Sequence, residues 1–172
     1  MVPCAACLRG VVTEAVGEER YDQARENAYR LRDVFGKGNF FLEIQDQGLD
    51  IEKTVNPHLV RLSKESGIPL VATNDCHYLK KDDAFAHDVL LCIGTQKTFQ
   101  DPDRMRYASD NFYMKSADEM HKLFPDDHAA IENTLRIAEH GNRVTTTGTV
   151  PPPASPVPAG APRGGSLDRD AR

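Results

Sequence analysis

An apolar run at residues 68–73 ends abruptly in a polar segment that contains Asp75 and His77. Gly67 and Pro69 mark the start of the run, and a helix-like pattern precedes it, which is typical of a buried strand in a parallel sheet. Ligands and reacting groups gather beyond the carboxyl ends of such strands. This segment therefore predicts an α/β fold whose chemistry lies where the 68–73 strand ends.

The spacing of Asp75 and His77 suggests a metal site but does not establish one. The two residues are two positions apart, so on an extended backbone their side chains point in the same direction. A carboxylate and an imidazole that converge at a strand end are suited to bind one metal ion. An isolated pair also has a simpler interpretation, a helix-capping Asp beside a surface His. The spacing alone leaves both interpretations open.

Apolar periodicity predicts alternating helices and strands in the first half of the chain. The predicted elements are a helix at 21–35, a strand at 40–46, a helix at 50–66 and the strand at 68–73. This order is the repeat of a parallel α/β unit. Pro57 fits the second helix only if it lies in the first turn. Residues 1–5 offer no further strand, so the chain resembles the end of a larger domain.

The second half of the chain is predicted to be mainly helical. The pattern predicts a helix at 82–93, a loop at 94–111, a short strand at 112–115, a helix from Ser116 through Leu123 and a helix at 127–139. Ser116 and Glu119 have the spacing of a capping box. The apolar face of the last helix comprises Ala130, Ile131, Leu135 and Ala138.

Composition divides the chain into a foldable part at 1–140 and a tail at 141–172. The tail is rich in Pro and Gly and has no aromatic residue, so a disordered segment is predicted there. The chain has a formal net charge of −5, and the tail contributes +2, which leaves −7 for residues 1–140. An acidic body argues against a general nucleic-acid-binding surface, which requires clustered Lys and Arg.

The four cysteines, Cys4, Cys7, Cys76 and Cys92, are too irregularly spaced for a disulfide scaffold. Cys76 and Cys92 are expected to be buried by packing. The sequence shows no signal peptide and no apolar run of membrane-spanning length, so a cytoplasmic location is expected.

Six blocks of sequence occur in an order and at separations that resemble a known family. They are ACLRG at 6–10, FLEIQD at 41–46, LVATNDCHY at 70–78, AHDVLLCI at 86–93, DPDRMR at 101–106 and FYMKS at 112–116. This string resembles the PHP (polymerase and histidinol phosphatase) domain of the bacterial replicative DNA polymerase III alpha subunit. The resemblance covers residues 6–140.

The resemblance implies a distorted βα barrel that binds metal ions at the carboxyl ends of its strands. The chain would supply only the C-terminal portion of that barrel, followed by helices and the disordered tail. Cys7, Asp75 and His77 match family metal ligands by position. This donor set suits zinc, with manganese as the harder alternative. The implied chemistry is phosphoester hydrolysis or 3′–5′ exonuclease activity.

The chain departs from the family pattern at both ends. The family's remaining ligands should lie upstream of Ala6, and the polymerase active site should follow residue 140. We therefore expect a fragment of an alpha subunit that is inactive alone, and we assign no catalytic residue and no organic cofactor. The alternatives are a stand-alone PHP phosphoesterase and a non-catalytic module that binds a proofreading subunit. The resemblance implies DNA, a proofreading exonuclease subunit and other replicase subunits as partners of the parent protein, with no membrane contact.

Several other polar residues have simpler predicted roles. Arg104 and Arg106, near Lys97, form the main basic cluster and are expected in a solvated loop. Asp46 is expected to form the turn before Gly48. His87, on the predicted 82–93 helix, is expected at the surface rather than in support of the site. The sequence suggests no convergent partner for His58, His121, His128 and His140.

Overall fold

The computed structural model describes residues 4–5 and 8–141, so Cys7 and nearly all of the predicted tail lie outside it. In chain order its elements are β1 (Cys4–Ala5), α1 (Val11–Gly17), α2 (Tyr21–Phe35), β2 (Phe41–Gln45), α3 (Asp50–Ser66), β3 (Leu70–Thr73), a 3₁₀ turn (Lys81–Asp83), α4 (Ala84–Gly94), α5 (Ala117–Leu123) and α6 (His128–His140).

The three strands form a parallel sheet in the order β1-β2-β3. Cys4 pairs with Phe41, and Leu42 pairs with Leu70. The prediction that residues 1–5 offer no strand is wrong, because Cys4–Ala5 adds a short edge strand to β2. A parallel α/β fold is confirmed, but the sheet is open, and residues 4–5 and 8–141 show no barrel.

The helices and strands predicted between residues 21 and 73 are confirmed. Hydrogen bonds to Glu52 and the backbone conformation of Gly67 explain where α3 begins and ends. α3 begins where the Glu52 carboxylate accepts hydrogen bonds from the backbone N–H groups of Gln47 (2.8 Å) and Leu49 (2.9 Å). It ends at Gly67, whose φ of +68° is a left-handed conformation that glycine adopts without strain. Pro57 lies in the helix interior, so the expectation that it must lie in the first turn is wrong.

The hydrophobic core lies between the sheet and the helices around it. Leu42, Ile44 and Ala72 contribute the strand side chains. The helices contribute Val12, Ala15, Val16, Ala24, Ala28, Val55, Leu59, Leu62, Met120 and Ala130. α1, which supplies three of these side chains, was not among the predicted elements. None of the helices in the described part of the chain is long and apolar enough to cross a membrane.

Periodicity located α4 and α6 but did not predict which of their apolar residues are buried. Leu90 and Ile93 on α4 are 63% and 68% exposed, and Leu135 on α6 is 70% exposed. The prediction that Leu135 faces inward is therefore wrong. α6 nevertheless packs against β3, where Asn133 Nδ2 donates a hydrogen bond of 2.8 Å to the carbonyl oxygen of Leu70.

Arg104 anchors the irregular segment 95–111 to α4. Its guanidinium forms two hydrogen bonds with the Asp88 carboxylate, one of them 2.7 Å from Nη2 to Oδ2. Its Cζ atom also lies 4.5 Å from the centre of the Phe99 ring. The Arg104 side chain is only 3% exposed, so the prediction that it is solvated is wrong.

Candidate functional site

Polar side chains from β2 and β3 meet near the carboxyl ends of these strands. The register pairs Glu43 with Val71 and Gln45 with Thr73, so these side chains share one face of the sheet. The Thr73 hydroxyl donates a hydrogen bond to Glu43 Oε1 and accepts one of 3.0 Å from Gln45 Nε2. The second carboxylate oxygen of Glu43 is buried and has no hydrogen-bond partner among the residues that the structure describes.

Asp75 and His77 lie just beyond β3, but not on an extended backbone. Asp75 has a φ of +46°, in the left-handed region, so strand alternation does not orient the pair as predicted. The turn still brings the two side chains together, with Asp75 Oδ1 4.0 Å from His77 Nδ1. His77 Nδ1 also lies 3.0 Å from the backbone oxygen of Asp75.

An aromatic wall holds the His77 ring. Its centroid lies 4.9 Å from that of Tyr107, 5.3 Å from Phe112 and 5.7 Å from His87. The backbone N–H of His77 donates a hydrogen bond of 2.8 Å to the carbonyl oxygen of Phe112. These contacts fix the position of His77 although it follows the strand rather than lying in it.

Asn74 joins this turn to two other parts of the chain. Its backbone oxygen accepts a hydrogen bond of 2.9 Å from Gln47 Nε2, and its side chain exchanges longer hydrogen bonds with the backbone of Lys115. Near Lys115, the predicted strand at 112–115 is reduced to a single parallel bridge between Tyr78 and Tyr113.

Two groups of the sheet, Glu43 and Cys4, have raised pKa values. Burial raises the pKa of Glu43, and the charge of Asp75 raises it further, although the hydrogen bond from Thr73 opposes the shift. Burial and the nearby Glu43 carboxylate raise the pKa of Cys4 to about 11. The Cys4 thiol is therefore protonated at neutral pH when no metal is bound.

The predicted metal ligands are only partly within the described structure. Asp75 and His77 come together, whereas Cys7 lies outside the described residues. Between residues 8 and 141, and at 4–5, no group of three His, Cys, Asp or Glu side chains is arranged to hold a metal ion. Cys76, which was predicted to be buried, is exposed, whereas Cys92 is buried as predicted.

The donor chemistry of the pair fits two ligands of a larger site. In the tautomer with its proton on Nδ1, His77 donates to the backbone oxygen of Asp75, and the Nε2 lone pair is free for a metal. The Asp75 carboxylate is partly exposed and accessible. A carboxylate and an imidazole together suit zinc or manganese.

Several residues of this site were not predicted from the sequence. Glu43 could have been found from strand alternation, because it shares a face with Gln45 at the strand exit. His87 and Tyr107 gave no such signal, since their contacts with His77 join segments that are distant in sequence. His87 and Tyr107 also line an open cleft of about 610 Å³, with Tyr78, Arg106 and Asp110 among its other residues.

Curated proteins that resemble the chain share one description. The chain is 44% identical over 142 residues to the DNA polymerase III subunit alpha of Treponema pallidum, which covers 83% of the chain and 12% of that protein. It is 39% identical over 139 residues to the subunit of Borreliella burgdorferi (81% and 12%) and 38% identical over 163 residues to that of Campylobacter jejuni (89% and 14%).

No protein-family model matches the chain. The relatives are much longer proteins, and the chain spans only about one eighth of their length. The sequence is thus similar, over most of its residues, to one segment of DNA polymerase III subunit alpha, and it is consistent with a fragment of that replicative polymerase subunit.

Proposed function

We propose that the chain is part of the PHP domain of a DNA polymerase III alpha subunit and contributes metal ligands there. The observation that carries this proposal is the position of Asp75 and His77 just beyond the carboxyl end of a parallel strand, where Asp75 Oδ1 lies 4.0 Å from the Nδ1 side of the His77 ring. The similarity to alpha subunits supports the same assignment. Cys7 is the third proposed ligand on this chain.

The residues of the chain would position the metal rather than complete its site. The Asp75 backbone oxygen would hold the His77 imidazole, and the wall of Tyr107 and Phe112 would fix the plane of its ring. When bound, zinc or manganese would activate water and neutralise charge on a phosphodiester, the chemistry of a phosphoesterase or 3′–5′ exonuclease. Because three ligands do not make a complete multinuclear site, the chain alone is proposed to be inactive.

The proposed parent protein carries out DNA-directed DNA synthesis during replication. In that setting its partners would be DNA, a proofreading exonuclease subunit and other replicase subunits, in the bacterial cytoplasm. The chain's similarity to alpha subunits supports this context.

Metal titration of the whole 172-residue chain tests the proposed site. With the thiols reduced, zinc and manganese binding is measured by calorimetry for the wild type and for Asp75→Asn and His77→Ala variants. We expect each substitution to weaken binding at one site by about tenfold or more, since each removes a direct ligand. His58→Ala, which changes an exposed histidine on α3, is the matched control.

Unchanged binding in both Asp75→Asn and His77→Ala would contradict the proposed ligand roles. A phosphodiesterase assay on the same samples separates the alternatives. Metal-dependent hydrolysis that is lost in His77→Ala would favour a stand-alone phosphoesterase over an inactive fragment.

A further inference from the structure

His121 and His128 form a second histidine pair, remote in sequence from Asp75 and His77. His121 lies in the last turn of α5, and His128 is the first residue of α6. Their Nδ1 atoms are 3.2 Å apart, and their ring centroids are 5.4 Å apart. Both side chains are exposed. Because the two rings are in contact, the expectation that neither has a convergent partner is wrong.

We propose that His121 and His128 form a surface site for a transition-metal cation such as Zn²⁺ or Ni²⁺. Zinc binds imidazole nitrogen at 2.0–2.1 Å, so two ligands of a tetrahedral ion are separated by about 3.4 Å. The observed Nδ1 separation of 3.2 Å is close to this value. Imidazole is also a preferred ligand of both metals.

The metal-free contact is readily converted into metal coordination. Between two neutral rings, one Nδ1–H donates a hydrogen bond to the other Nδ1 lone pair. A shift of the donor ring to its Nε2–H tautomer leaves a lone pair on each Nδ1 atom, and a rotation of the rings would turn both lone pairs toward one cation. Two nitrogen–metal bonds then form as two water ligands leave the cation, and no net proton is lost from the protein.

The surrounding fold holds the pair in place. Met120 and Phe124, close to His121 in sequence, and Ala130, close to His128, are buried in the core, which anchors both helices. Backbone hydrogen bonds from Phe124 to Met120 (3.0 Å) and from Ala130 to Asp127 (2.8 Å) fix the connection between α5 and α6. The site is therefore largely formed before a metal binds, which reduces the ordering cost of binding.

The His121–His128 pair differs in its ligands and its coordination from the proposed site of Asp75 and His77 beyond β3 (the strand-end site). It uses neither Asp75 nor His77, and it provides two protein ligands. Since no third His, Cys, Asp or Glu is suitably arranged in the described part of the chain, water would complete the coordination shell. A cation bound only by the folded chain should also stabilise it against unfolding.

Calorimetric titration of the whole chain with Zn²⁺ and Ni²⁺ tests this proposal. His121→Ala and His128→Ala should each weaken metal binding at one site by about tenfold or more. The remaining imidazole would bind the cation without the high effective concentration of a second, nearby ligand. The double substitution should have little further effect. His140→Ala, an exposed histidine at the other end of α6, is the matched control and should leave the isotherm unchanged.

Nuclear magnetic resonance of the wild-type chain tests the proposal without relying on variants that could fail to fold. Zinc should shift the Nδ1 nitrogen resonances of both His121 and His128, and should do so equally in an Asp75→Asn background. Isotherms of the two single variants that match the wild type, or zinc shifts confined to other histidines, would overturn the proposal. Loss of metal binding only in Asp75→Asn would also overturn it, while supporting the strand-end site.

Discussion

At the scale of single residues, local hydrogen bonds lower the pKa values of several carboxyl groups. Glu119 illustrates this most clearly, because its carboxylate accepts hydrogen bonds from the Ser116 backbone and hydroxyl, both 2.8 Å, and from the Tyr113 hydroxyl, 2.6 Å. These bonds, with the one from Tyr113 contributing most, lower the Glu119 pKa from its ordinary value of 4.5 to about 2. The predicted capping box is thereby confirmed.

The shifted pKa makes stability depend on Glu119 in acid. Because the folded-state pKa lies below the unfolded-state value, Glu119 contributes stability that is fully present above about pH 4.5 and is lost as pH falls toward 2. Glu119→Gln should therefore reduce stability at neutral pH and flatten its decline between these values.

Urea unfolding measured from pH 2 to 7 checks this expectation. Asp118→Asn, in the same first helical turn, is the control for the loss of one negative charge at this position of the helix. An unaltered profile in Glu119→Gln would show that its hydrogen bonds are not maintained in solution.

The candidate site could be predicted from sequence only at the level of residue types. The 68–73 run and its polar end located Asp75 and His77, but alternation could not foresee the left-handed backbone at Asp75. The bond between Arg104 and Asp88 was also not predictable, because it joins residues 16 positions apart across an irregular segment. Contacts of this kind depend on tertiary packing, which periodicity does not describe.

At the scale of elements, the sequence predicts where helices lie better than which faces are covered. Val55, Leu59 and Leu62 of α3 are buried as their helical spacing predicts. Leu135 of α6 has equally good spacing, but the described residues leave it 70% exposed. Periodicity identifies an apolar face, whereas burial requires a neighbouring element that covers it.

Two leucine truncations distinguish these environments. Leu59→Ala removes a side chain that is 1% exposed, and it should lower the free energy of unfolding by about 2–5 kcal/mol through lost burial and the cavity left behind. Leu135→Ala is the matched control and should change it by about 0.5 kcal/mol or less.

The comparison is made by urea denaturation, in which the dependence of the unfolding free energy on urea concentration is fitted with the same slope for both variants. Equal destabilisation by the two substitutions would contradict the packing described for α6. A neutral Leu59→Ala would contradict the core assignment of α3.

At the scale of the whole molecule, charge constrains which surfaces can contact DNA. The chain has a formal net charge of −5, and Arg104, from its main basic cluster, is neutralised by Asp88. Phosphate contacts require accessible basic side chains. If the chain is part of a polymerase subunit, most DNA contacts must come from other parts of that protein.

The isolated chain should therefore bind DNA weakly. In fluorescence anisotropy at about 0.15 M salt, we expect a Kd for duplex DNA weaker than about 10⁻⁴ M, at the weak limit of non-specific binding. Lowering the salt should strengthen binding only slightly, because few counterions are released. Micromolar affinity with a steep salt dependence would contradict this expectation.

The hydrogen bond from Asn133 to Leu70 covers part of the outer edge of β3. Since Leu42 N–H bonds to the Pro69 carbonyl, the Leu70 carbonyl points away from β2, toward the outer side of β3. An uncovered strand there would be a template for pairing with a foreign chain. α6 occupies that position with a side-chain amide, so intermolecular strand addition at β3 first requires α6 to detach.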